Sequence, residues 1–213
     1  KRNIEITPTK LVWLAVQRRC RRYLEDYGAE SLVVRRKQPF TESIWKAIFD
    51  SELATANVDL RKRDVRVAFR AYAAVLRQTG FRKSELALQS GEVFSPACAA
   101  RSSLKWCLRG VIYASPPLHL LASPRPGDYA ILVPPPSKAD PFGEVWGALP
   151  IYLHYDALDP NCAFTHLARL ETVFPVTGAQ RSTTPLISAG GSKPFAGAHL
   201  DAILKRILTP LVG

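Results

Sequence analysis

A chain of 213 residues, 47% hydrophobic and 22% charged, is long enough to bury one sizeable core and too mixed in composition for a disordered or fibrous class. No apolar run could span a bilayer, and Lys1-Arg2-Asn3 leads into Ile4-Glu5-Ile6 rather than an apolar signal core, so a soluble intracellular protein is expected, with no membrane partner. The net charge of +11 is lopsided, with 19 Lys/Arg against 9 Asp/Glu in residues 1–83 and 10 against 9 in residues 84–213, which points the N-terminal part toward a polyanion.

Thr7-Pro8-Thr9 reads as a helix start. Val12, Val16, Cys20, Tyr23 and Tyr27 then recur on one helical face, Arg18, Arg19, Arg21 and Arg22 fill much of the rest, and Gly28 ends the run. Arg35-Arg36-Lys37-Gln38-Pro39 cannot easily be helical before its proline and reads as a basic linker. Thr41 caps a second predicted helix with Ile44, Trp45, Ile48, Phe49 and Leu53 on its core face. After a polar stretch, 55–61, a third helix is expected over about 62–78. Val65, Ala68, Phe69, Tyr72 and Leu76 form its inner stripe, and Arg63, Arg66, Arg70 and Arg77 another face. Gly80 suits the left-handed position that stops it, and 84–89 resumes helically.

Beyond Gly91 the period changes from helix to strand. Leu104, Trp106 and Leu108 alternate with Lys105, Cys107 and Arg109, and Val111-Ile112-Tyr113 continues the run. A proline-rich loop (116–126) precedes a strand at 129–133. Pro134-Pro135-Pro136 and a turn at Asp140-Pro141-Phe142-Gly143 lead to a returning strand at 145–153, and the prolines place this hairpin at an edge. Asn161 is read as the cap of a helix through Thr172, and a last helix spans about 198–208. The fold class expected is α+β, mostly helical with a small antiparallel sheet.

Cys20, Cys98, Cys107 and Cys162 are scattered, as are the four histidines, and no zinc-ligand spacing or Gly-rich phosphate loop occurs. Free buried thiols, no metal and no cofactor are expected. The absence of methionine suggests a piece of a longer polypeptide.

Two motifs carry chemistry. Gly80-Phe81-Arg82-Lys83-Ser84-Glu85-Leu86 sits between two helices, and Ser137-Lys138-Ala139-Asp140-Pro141-Phe142-Gly143 sits at a hairpin tip. Together they resemble the catalytic core of the tyrosine recombinases (phage-integrase family), in wording most similar to recombinases of Crypton- and DIRS-type mobile elements. The resemblance implies a recombinase-like core, incomplete at its C-terminus. Residues 1–34 would end a helical core-binding domain, 35–39 would be a linker, and 40–213 the N-terminal part of the catalytic domain. Arg82 would bind the scissile phosphate, Lys138 would protonate the 5′-hydroxyl leaving group, and Glu85 would support the local structure. Duplex DNA would be the partner, contacted by Arg18, Arg19, Arg21, Arg22, Arg35, Arg36, Lys37 and Lys83, with tetramers forming on DNA. The site would be in the nucleus of a eukaryote, otherwise in the cytoplasm or nucleoid.

The family also uses a His-x-x-Arg box and a nucleophilic tyrosine, which the resemblance places after Gly213. His166-Leu167-Ala168-Arg169 matches the box literally but lies too early, on the helix after the hairpin, and is read as a helix surface that matches by accident. Tyr152 is expected to pack within its strand. The alternative reading is a non-catalytic or decayed DNA-binding module. A third is an unrelated basic protein binding RNA or an acidic partner.

Overall fold

The computed structural model describes residues 10–27, 40–50, 58–87, 94, 99–134, 149–188 and 196–212. The chain divides into two compact units, Lys1–Pro39 and Phe40–Gly213. In the first, helix α1 runs Lys10–Tyr27 and exposes Arg18, Arg19, Arg21 and Arg22. Its predicted start at 7–9, its end at Gly28 and the basic linker lie outside the described residues.

The second unit is α+β. It comprises α2 (Glu42–Phe49), a single turn α3 (Val58–Arg61), α4 (Arg63–Thr79), the short α5 (Lys83–Leu86), a 3-10 turn (Arg101–Ser103), β1 (Leu104–Leu108), β2 (Val111–Tyr113), α6 (Leu118–Leu121), β3 (Tyr129–Leu132), β4 (Ile151–His154), α7 (Ala163–Val173), α8 (Gln180–Thr183) and α9 (Gly197–Val212). The strands form one antiparallel sheet in the order β2-β1-β3-β4.

Helix α4 is the centre of this unit. Val67, Ala68, Phe69 and every residue from Ala71 to Val75 are buried, a wider face than the single predicted stripe. Four alanines among them leave room for close packing, and α4 packs most extensively on α7, which contributes Phe164, Leu167 and Leu170 to the core. The N-terminus of α7 is tied to α4 by a side chain: Gln78 Oε1 accepts the Ala163 N–H at 3.0 Å. Cys162, rather than Asn161, holds the N-cap position, while the Asn161 N–H donates to Asp159 Oδ1 at 2.9 Å in the preceding turn.

Strand β1 alternates as expected on the core side, with Leu104, Trp106 and Leu108 buried, although Cys107 on the other face is buried as well. The predicted continuation through Val111–Tyr113 is instead a hairpin. Leu108 pairs with Val111 across a two-residue turn, with Arg109 at φ 55° and Gly110 at φ 79°. This is the type I′ geometry that matches strand twist. A left-handed arginine costs about 1 kcal/mol, and the buried Asp128 holds it there, its carboxylate accepting the N–H of Arg109 at 2.7 Å and of Arg125 at 2.8 Å.

Other departures are local. Val58–Arg61, read as a polar stretch, forms a helical turn because Leu60 is buried. Within the proline-rich loop, α6 buries Leu120 and Leu121. Helix α9 continues beyond 208 through Pro210 to Val212, giving up the hydrogen bond that the proline nitrogen cannot make. Among the described residues no helix is long and apolar enough to cross a membrane.

Candidate functional site

The break between α4 and α5 is built from the backbone outward. Gly80 adopts φ 67° and its N–H donates to Leu76 O at 2.9 Å, closing α4 in the left-handed conformation that glycine adopts without strain. Thr79 Oγ1 donates to Val75 O at 2.7 Å and accepts the Phe81 N–H at 3.2 Å. Phe81 packs against the core, which turns the chain so that Arg82 becomes the N-cap of α5. Glu85 then reaches back, accepting the Arg82 N–H on Oε2 at 2.6 Å, while the Glu85 N–H donates to Arg82 O at 3.0 Å. Lys83 Nζ, 2.6 Å from Asp201 Oδ2, links the turn to α9.

The Arg82 side chain is exposed, and no acceptor among the described residues holds its guanidinium. Its peptide is fixed while its charge faces water. Glu85 has a visible local role as the clamp on that peptide. Lys83 engages Asp201, and since both are well exposed the pair is weak and open to exchange.

Lys138 lies outside the described residues, as do Arg35, Arg36 and Lys37. The strands flanking Lys138 are described: β3 and β4 pair antiparallel and end at Leu132 opposite Ile151. Residues 133–150 therefore connect the two arms of a hairpin, and β4 is an edge strand. Of the candidate residues, Arg82, Lys83 and Glu85 are brought together in one turn. The four arginines of α1 belong to the other unit.

Two of the four arginines on this face of α4 are committed to the fold. Arg70 donates to Phe49 O at 3.3 Å, and burial, followed by the neighbouring Arg66 and Arg169, lowers its pKa. Arg77 lies 3.2 Å from Glu42 and 3.0 Å from Asp159. Arg63 and Arg169 line a cleft of about 560 Å³ with Tyr155 and Asp156. Arg82 is not among the residues that line this cleft.

His166 of the literal His-x-x-Arg sequence is buried, stacked on Phe49 with ring centroids 5.4 Å apart. Burial, then the charges of Arg70 and Arg169, push its pKa down to about 4 against the opposing pull of Asp159. A neutral, enclosed ring cannot reach a phosphate. Tyr155 is half-buried with its ring 5.5 Å from that of Phe164. Tyr152 does not pack inside as expected: it is 53% exposed on the outer face of β4, because the register pairs it with Ile131 rather than placing it on the core side.

Two features had no sequence signal. One is the Asp128 clamp. The other is a buried cluster in which Arg181 forms a double hydrogen bond to Glu171 at 2.8 and 3.1 Å and donates to Arg101 O and Val176 O at 2.9 Å. Arg101 Nη1 forms a buried ion pair with Glu171 Oε2 at 3.2 Å, too poorly aligned for a full hydrogen bond, and its side-chain nitrogens have no other partner among the described residues. Among the described residues no group of three or more His, Cys, Asp or Glu could hold a metal ion. Compared with family models, with curated proteins and with solved structures, the chain matches none.

Proposed function

We propose that this chain is the DNA-binding, N-terminal part of a tyrosine-recombinase catalytic core, a piece of an enzyme that breaks and rejoins DNA through a 3′-phosphotyrosyl intermediate. The observation that carries the reading is the setting of Arg82. A glycine turn, a glutamate clamp and packed Phe81 hold its backbone, while the guanidinium is left exposed and unpartnered among the described residues. Such an arrangement suits a planar cation waiting for an anion with two oxygens.

On this reading Arg82 binds the non-bridging oxygens of the scissile phosphate and stabilises the charge that builds up in the pentavalent transition state. Lys138, carried on the connection of the β3–β4 hairpin, gives its proton to the departing 5′-oxygen. Nearby cations favour that transfer by lowering the ammonium pKa. The attacking tyrosine and the His-x-x-Arg box that the family uses are assigned to no residue of this chain. Arg18, Arg19, Arg21 and Arg22, exposed on α1, supply sequence-independent phosphate contacts.

The test uses the parent polypeptide and a nicked suicide duplex that traps the covalent adduct. Arg82→Ala and Lys138→Ala are expected to abolish adduct formation while changing duplex affinity less than about threefold, since one or two phosphate contacts among many carry little of the binding. Adduct formation that survives both changes contradicts the proposal. Adduct formed by the present chain alone also contradicts it, and would transfer the nucleophile to Tyr152 or Tyr155.

A further inference from the structure

The sheet has a second face that the recombinase reading does not use. Its register puts Leu104, Trp106, Ala130, Leu132 and Leu153 toward the core and leaves Lys105, Ile131 and Tyr152 in one outward row, with Ile112, Cys107, Tyr129 and His154 in the next. Tyr152 is 53% and Ile112 60% exposed, and Lys105 and His154 are exposed as well. The rings are grouped: Tyr129 lies 5.6 Å from Tyr152 and 5.4 Å from His154, centroid to centroid. Diagonal and directly opposite neighbours across an antiparallel pair meet at such distances.

Charge favours one kind of occupant. None of the four strands contains an aspartate or glutamate. Lys105 stands at one end of the face, and the exposed Arg109 of the β1–β2 turn at the other. Asp128, the nearest carboxylate in the turn region, is buried, with its oxygens taken by the Arg109 and Arg125 N–H groups. Among the described residues, the exposed Tyr152 and His154 rings and the half-buried Tyr129 ring are edged by cations, with no carboxylate on the strands, which suits a ligand that offers flat π-faces and negative charge together. Unpaired nucleobases on their phosphate backbone have that chemistry. A duplex does not, because its bases are stacked on one another.

We infer that the outer face of the sheet is a stacking platform for unpaired bases of a single DNA strand, with Tyr152 as its principal ring, Tyr129 and His154 supporting it, and Lys105 meeting the backbone. This inference needs neither Arg82 nor Lys138, so it stands or falls separately from the recombinase proposal.

The test measures binding of the whole chain to oligo(dT), to an abasic oligomer of the same length and charge, and to duplex DNA, by fluorescence anisotropy. Wild type should prefer oligo(dT) over the abasic strand by roughly tenfold, the scale of one stacked base. Tyr152→Ala should remove that preference while leaving duplex affinity unchanged, and Tyr152→Phe, which keeps the ring, should retain it. Tyr152 is exposed, so neither change threatens the core. Equal binding of oligo(dT) and abasic strand by wild type, or a preference that survives Tyr152→Ala, overturns the inference. So does an equal loss in Tyr152→Phe, which would assign the effect to the hydroxyl.

Discussion

His166 shows how a residue that reads as chemistry becomes structure. Its imidazole is enclosed, its Nε2 has no hydrogen-bond partner among the described residues, and its plane lies within 16° of the Phe49 ring. With a folded pKa of about 4 against an ordinary 6.5, the unfolded chain takes up a proton that the folded one refuses. Stability is unaffected above about pH 6.5 and falls as pH drops from there toward 4, by about 3 kcal/mol over the whole interval. His166→Phe preserves the stack and removes the titration. Urea unfolding from pH 7.5 to 4 should therefore show a shallower decline for the variant than for wild type. Parallel declines would mean that the ring is not held neutral.

The same residue marks the limit of motif reading. His166-Leu167-Ala168-Arg169 is a match in letters, and only burial decides it. The glycine that stops α4 was legible because few residues adopt its conformation, whereas Glu85 was expected to support the local structure only through the family resemblance, and its clamp on the Arg82 N–H emerges from the fold. Arg109 was not legible: nothing about an arginine announces a left-handed turn. The acid that stabilises it, Asp128, is nineteen residues away.

Among the elements, the alternation of β1 and the stop of α4 follow from local chemistry, and both were readable. The joint between the 3-10 turn, α7 and α8 was not, since it depends on Arg101, Glu171 and Arg181 meeting from distant parts of the chain. Glu171 balances two buried guanidiniums, and burial lowers the Arg101 pKa despite the nearby carboxylate. Removing the carboxylate leaves both cations unpaired, so Glu171→Ala should destabilise by about 3–5 kcal/mol. Arg101→Met deletes a side chain that makes a poorly aligned ion pair with Glu171 and no other polar contact among the described residues, leaves Glu171 paired with Arg181, and should fall within about 1 kcal/mol of wild type, or above it. Thermal unfolding of the two variants checks this contrast. Equal losses would mean that Arg101 is as tightly satisfied as Arg181.

At the scale of the whole molecule, the charge asymmetry and the division at Pro39–Phe40 frame the account, but its centre is a pair of cations. Arg82 lies in the turn between α4 and α5, and Lys138 lies outside the described residues, in the sequence between β3 and β4.

The most direct measurement replaces Arg82 and Lys138 together by cysteine and treats the chain with bis-maleimide linkers of graded length, with and without duplex DNA. The two single-cysteine variants serve as controls for the native thiols. The account predicts that the shortest linkers join the two positions when DNA is bound. Joining only by the longest linkers, or by none, with DNA present would separate the two cations and contradict it.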